Sequence, residues 1–337
     1  MFNQKELSYV LEKNNFIPIV ILLSSVSTII DAISLSSLIP IFLSITDFSL
    51  IEVYSPEYFL PYINKYSQKE IIIIFISFSL FFFVIKTLFS IFVNWKINSL
   101  CYDQLKILRS RIFDKIVNLN YLNFINKNQD DYISTIINTT HEFIEMNLRP
   151  YMRLISEMIV ISAFSLILIF NFALEFISLI IFLGFFIFFY IFFIKKRLEL
   201  YGEISDKNNS KFIEFINYNF EGKFEIDNLS LKNIFSDKTK GHLNLLIDSK
   251  KKSVLFEIIP RYLIELVIVS ALLLIIFLGY VLFDDTKTFV SITVIALISV
   301  RLMPSINIIM ISITQLKFSI FHSQKLSNLI SEIENKK

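Results

Sequence analysis

Asp31, Lys86, Arg261 and Arg301 sit where the chain is otherwise apolar enough for a bilayer. A full charge near the centre of a membrane costs at least ~3 kcal/mol, so such a residue is paired, snorkels, or lines a watery cavity. Arginine binds phosphate oxygens in a bidentate way and lysine acts as a point charge, so the chemistry these cations offer is carriage of an anionic head group such as pyrophosphate while its polyprenyl tail stays in lipid. Counted from the outer ends of their helices, Lys86 lies ~22 Å deep, Arg301 ~18 Å and Arg261 ~33 Å, the last near the inner surface. The competing reading is internal neutralisation. Arg261 and Glu265 are spaced to share one helix face, and Asp31 can pair with Lys86 or Arg301. Arg149 and Arg153 stand where a span enters the bilayer, as snorkelling cations do. Phe185, Phe186, Phe188, Phe189, Tyr190, Phe192 and Phe193 surround their helix on all sides, which fits lipid-facing bulk better than a binding face.

These residues belong to a chain that is 54% hydrophobic and 15% aromatic, with a mean hydropathy of +0.62. Such a composition excludes a soluble domain with a solvated surface and predicts an all-α, multi-pass membrane protein. The net charge of +2 gives no argument for nucleic acid. With one cysteine, Cys101, no internal disulfide can form, and His141, His242 and His322 lack the close spacing of metal ligands. None of the five glycines lies in a phosphate-binding loop, so the chain by itself cannot bind ATP in the P-loop manner.

Hydropathy predicts a polar N-terminal segment over 1–15, spans near 16–45, 71–95, 152–170, 172–194, 254–283 and 289–313, and a polar tail over 314–337. Basic residues on one side number two before the first span, seven from Lys96 to Arg149, twelve from Lys195 to Lys252 and four from Lys317 onward; the other side holds Lys65, Lys69 and Lys287. The positive-inside rule then places both termini in the cytoplasm. Leu100, Leu105, Leu108, Ile112, Ile116 and Leu119 continue the second span as an amphipathic helix, which breaks near Tyr121–Asp131 and climbs back over Tyr132–Asn147. Lys195–Phe220, a turn at Glu221–Lys232 and Asn233–Ser253 repeat the plan. Two helical hairpins therefore reach on the order of 35 Å into the cytoplasm. Outside, Tyr54, Tyr58, Phe59, Tyr62 and Tyr66 among charges read as an aromatic belt or an interfacial helix.

Six spans with two such hairpins resemble the transmembrane domain of a type I ABC exporter. Tyr121-Leu122-Asn123-Phe124-Ile125-Asn126-Lys127-Asn128 with Asp131-Tyr132-Ile133-Ser134 resembles the first coupling helix, and Glu221-Gly222-Lys223-Phe224-Glu225-Ile226 the turn opening the second. Ser36-Ser37-Leu38-Ile39-Pro40, Pro260-Arg261-Tyr262-Leu263-Ile264-Glu265 and Arg301-Leu302-Met303-Pro304-Ser305-Ile306-Asn307 are similar to bacterial flippases of lipid-linked oligosaccharides used in protein glycosylation. The resemblance implies a subunit of the bacterial inner membrane that pairs with a second copy or a homologous subunit. It implies that ATP and Mg are bound by a separate ATPase subunit touching Asn123, Phe124, Asn126, Asn128, Phe224, Glu225, Ile226 and Leu229. Its substrate would be a lipid or lipid-linked saccharide held by Lys86, Arg261 and Arg301. Two departures stand out: no ATPase domain follows the sixth span, and acidic Asp227 occupies a place where a basic residue is usual. Export of a peptide or another lipid, and a non-transporting membrane scaffold or relic, remain the alternatives.

Overall fold

The computed structural model describes residues 16–38, 40–41, 67–124, 129–171, 173–282 and 286–335. Among the described residues the chain is all-helical, with no strand. Most of the outer connection, with its aromatic belt, lies outside them, as do Asn126 and Asn128.

Helix α1 (Phe16–Ser36) is apolar on most sides but carries Ser24, Thr28, Asp31 and Ser34, three or four residues apart and all buried. That spacing puts one polar stripe against the neighbouring helices α2 and α6. The hydroxyls are satisfied without water. Thr28 Oγ1 donates to the Ser24 carbonyl and Ser34 Oγ to that of Asp31, both at 2.8 Å, while Ser24 Oγ donates across to Ser156 Oγ at 2.8 Å.

Helix α2 (Gln68–Val117) runs for 50 residues, ~75 Å, against a hydrocarbon thickness of ~30 Å. Its first turn is closed by the Glu70 carboxylate, which accepts from the Ser67 N–H at 2.8 Å. Its outer part presents Phe78, Phe81, Leu88 and Trp95 outward, as a lipid-facing helix does. Its inner part buries Ile97, Cys101, Leu105, Leu108, Ile112 and Ile116 on one face. Glycine and proline are absent throughout, so nothing interrupts the ladder where the environment changes.

The return path is α3 (Tyr121–Phe124), α4 (Gln129–Ser134), α5 (Thr140–Phe143) and α6 (Arg149–Asn171), with π-helical turns at Thr135–Thr139 and Ile144–Leu148. The second hairpin is formed by α7 (Ala173–Glu221), the short α8 (Lys223–Asn228) and α9 (Lys232–Leu282). Helix α10 (Thr286–Phe318) packs on α6, α7 and α9, and α11 (Ile320–Asn335) lies against α7 and the first hairpin. The expected polar tail is thus a docked amphipathic helix, with Leu326 and Ile330 fully buried.

Phe16–Ser36, Gln68–Val117 and Ser299–Phe318 are long and apolar enough to cross a membrane. The other expected spans fall within α6, α7 and α9 and the start of α10, where many side chains lie outside the described set. Two apolar cores result. One joins α1, the inner part of α2, the climb from Tyr132 to Met152, and α11. The other joins Val160 and Phe164 of α6, Tyr190 of α7, Ile264 to Ile268 of α9, and Leu302, Ile306 and Met310 of α10. Two backbones approach closely at Gly202: a Cβ there would lie 2.0 Å from the Phe318 carbonyl oxygen, so α7 reaches the end of α10 only because this residue has no side chain.

Candidate functional site

Asp31 of α1, Lys86 of α2 and Arg301 of α10 meet at one place. Arg301 Nε donates to Asp31 Oδ2 at 3.1 Å, its Nη2 donates to the same oxygen, and Nη1 donates to Ser305 Oγ at 3.0 Å. Lys86 Nζ stands 3.7 Å from Asp31 Oδ1. The carboxylate is 3% exposed, against 19% for Lys86 and 18% for Arg301, so the anion is enclosed and both cations keep one open side. Two aromatic faces complete the surroundings: Lys86 lies over the Phe83 ring at 5.2 Å and Arg301 over Phe164 at 5.9 Å.

The elements explain the geometry. Asp31 belongs to the polar stripe of α1, and Ser79 Oγ, donating to the Ser37 carbonyl at 2.7 Å, pins α2 to the end of that helix. Ser305 is one turn along α10 from Arg301, within reach of its guanidinium. Pro304 interrupts the amide ladder of α10 at this level, removing the donor that would serve the Val300 carbonyl. The Asp31 Oδ1 atom accepts no hydrogen bond. Lys86 donates none among the described residues, and Arg301 spends three of its five N–H groups. Two cations and one carboxylate leave a net charge of +1 with donors to spare, which suits an oxyanion.

Arg261 is not part of this cluster. It and Glu265 lie on an exposed face of α9, and no ion pair joins them despite their helical spacing. Of the cations flanking the expected third span, Arg149 is bound to Glu145 and lies over the Tyr102 ring at 5.2 Å, a packed position and not a free snorkel; Arg153 is exposed. In the aromatic run, Phe188, Phe192 and Phe193 face outward as expected. Tyr190 turns inward, its hydroxyl bonded to the Phe256 carbonyl at 2.6 Å.

The hairpin tips form a second group. At the first, Phe124 stacks on Tyr132 with centroids 5.4 Å apart, while Tyr121 and Leu122 stand exposed. Beside them lies an apolar hollow of about 440 Å³ between Phe113, Ile116, Tyr132 and Ile136. The backbone of Asn123 is described but its side chain is not. At the second tip Phe224, Glu225 and Leu229 are exposed and Ile226 is buried. Ile226 is held by the turn itself: the Leu231 N–H bonds to its carbonyl at 3.0 Å and Ser230 takes φ 57°, the left-handed residue of a Schellman closure. Asp227 does not project as a lone negative charge. Its Oδ1 lies 3.0 Å from Lys223 Nζ and 3.3 Å from Lys232 Nζ, and the Lys223 hydrogen bond is the main cause holding its carboxyl below the usual value.

Sequence reasoning singled out Asp31, Lys86 and Arg301 but quoted Ser305 only within a motif, with no role of its own, and left out the buried stripe of Ser24, Thr28 and Ser34 on which Asp31 lies. The signal for that stripe was present: polar residues three or four apart in an apolar helix mark a face turned to protein. Among the described residues no cluster of His, Cys, Asp and Glu is arranged to hold a metal. No family model matches the sequence, and no characterised protein matches it significantly.

Proposed function

We propose that this chain is the transmembrane subunit of an ABC-type exporter, with six spans and two cytoplasmic coupling hairpins. It moves an amphipathic anionic substrate, a lipid-linked saccharide, across the bacterial inner membrane with ATP hydrolysed by a separate subunit. The observation that carries the reading is the convergence of Lys86 and Arg301 on Asp31, on three helices long and apolar enough to span a membrane. Cations are expensive there, and these two keep unspent donors and an open side. The exposed apolar residues at both tips, Tyr121 and Leu122 on one and Phe224 and Leu229 on the other, support a soluble partner at the cytoplasmic ends. Asp227, tied to Lys223 and Lys232, presents less free negative charge to that partner than its identity suggests.

The same ion cluster supports a second reading, a non-transporting scaffold in which Asp31 serves only to neutralise its neighbours. Crosslinking in the native membrane followed by mass spectrometry separates the two. An ATPase subunit joined to Tyr121–Phe124 or Lys223–Leu229 is expected for the exporter. Recovery of self-contacts alone, from folded protein, would remove the energy source and leave the scaffold. Transfer of a fluorescent anionic lipid by the assembled transporter should then fall at least tenfold in Arg301→Gln.

A further inference from the structure

Resting on that reading of the membrane cluster and narrowing its ligand, we infer that each chain accepts one singly charged oxyanion head, such as a phosphodiester, between Lys86 and Arg301, and that Asp31 sets this charge. The site holds two cations and one carboxylate, and no other described ionised group touches them. In a low-dielectric surrounding, charges are tolerated when they cancel locally, so the ligand that completes the site carries one negative charge. A doubly charged head would leave the site at net −1, with Asp31 enclosed beside it.

The donors agree with that count. Arg301 has two N–H groups beyond those given to Asp31 and Ser305, and the ammonium of Lys86 donates to nothing among the described residues. Asp31 Oδ1, enclosed and without a hydrogen bond, faces Lys86, so this carboxylate repels any acceptor that approaches the cations from its side. A second feature points to a lipid as the bearer of the head. Phe83, whose ring lies under Lys86, belongs to one open apolar face of α2 with Leu80, Val84, Thr87 and Leu88, so an alkyl tail has a surface to lie on beside the cation. Free phosphate offers the same oxygens but makes no use of that face.

The test uses the full-length chain in nanodiscs of neutral phosphatidylcholine at pH 9. Three probes compete with a fluorescent-tailed phosphatidylglycerol: dioctanoyl phosphatidylglycerol with one charge, dioctanoyl phosphatidic acid with two, and dimethyl phosphate with one charge and no tail. The wild type should prefer phosphatidylglycerol over phosphatidic acid by about tenfold. Asp31→Asn, at net +2, should reverse that order, and Asp31→Asn with Lys86→Gln, back at net +1, should restore it. Equal binding of the two lipids by the wild type, or an order unmoved by Asp31→Asn, overturns the inference. So does a double variant that behaves like Asp31→Asn. Dimethyl phosphate competing as well as the lipid would assign the site to a free anion and overturn the lipid assignment. If Asp31→Asn does not elute as folded protein, Lys86→Gln decides. At net zero it should lose phosphatidylglycerol binding at least tenfold, and undiminished binding overturns the charge rule. Lipid selectivity without any ATPase partner would sink the exporter and leave this inference standing; an ATPase partner without selectivity would do the reverse.

Discussion

Asp31 and Asp227 each stand between two cations, with the same net charge and opposite circumstances. Asp31 meets Lys86 and Arg301 across three helices, 3% exposed; Asp227 meets Lys223 and Lys232 within one exposed turn, 38% exposed. At the turn, water and salt screen the charges and the residues are neighbours in sequence, so pairing changes little beyond the local shape. In the membrane half, the partners are far apart along the chain and desolvated, so loss of one strands the others. Charge identity is therefore a poor guide to consequence, and burial with sequence separation is a better one. Backbone geometry repeats the contrast: Gly202 permits a buried close approach between helices, whereas Ser230 strains an exposed turn.

The largest effect should come from breaking the buried cluster. Asp31→Ala leaves Lys86 and Arg301 without their counter-ion and should cost about 3–5 kcal/mol in unfolding from detergent micelles. Buried Cys101, the chain's single cysteine, serves as the reporter through thiol labelling of unfolded protein. A cost near zero would mean that the three charges are solvated and the contrast with Asp227 is false. Next comes Gly202→Ala, which drives a methyl group into the Phe318 carbonyl and should destabilise by about 1–3 kcal/mol on the same assay. Gly241→Ala, at a helix position with nothing within 4 Å of the new Cβ, should stabilise by about 0.5–1 kcal/mol. If both glycine variants move the same way, close approach is not what Gly202 provides.

Smaller changes belong to the exposed tip. Ser230→Gly relieves the positive φ and should stabilise the second turn by about 0.5–1 kcal/mol, seen as slower hydrogen exchange at the Leu231 amide. Asp227→Asn should lower thermal stability slightly at neutral pH and not at all in strong acid, where the wild-type carboxyl is itself protonated: the folded carboxyl titrates below 3.8, so its contribution is present above that value and fades as the pH falls through the folded midpoint. A midpoint at or above 3.8 in side-chain NMR would show that Lys223 and Lys232 do not hold it.

Much of this architecture was legible. The lack of glycine and proline through α2, with buried residues from Ile97 to Ile116 on one face, announced a helix that outruns the bilayer. The hairpin turns were placed within a few residues of α3 and α8. The membrane cluster was legible only as a choice, because Asp31 with Lys86 or with Arg301 were equally open and the structure joins both. Separations of that length along the chain carry no local signal. Arg261 and Glu265 taught the converse, since helical spacing gives reach but not a partner when both side chains turn outward. Asp227 looked misplaced because its lysines act through a turn whose closure depends on Ser230. The π-helical turns at Thr135–Thr139 and Ile144–Leu148 had no pattern to betray them.

The uninterrupted length of α2 and α7, 50 and 49 residues with no internal proline, has a mechanical consequence. A helix without a joint acts as a lever, and an arm of ~35 Å that pivots by about 5° carries its end through ~3 Å. A small displacement at the tip of the first hairpin would thereby be delivered along α2 as rotation at the level of Lys86, and the reverse motion would travel the same way.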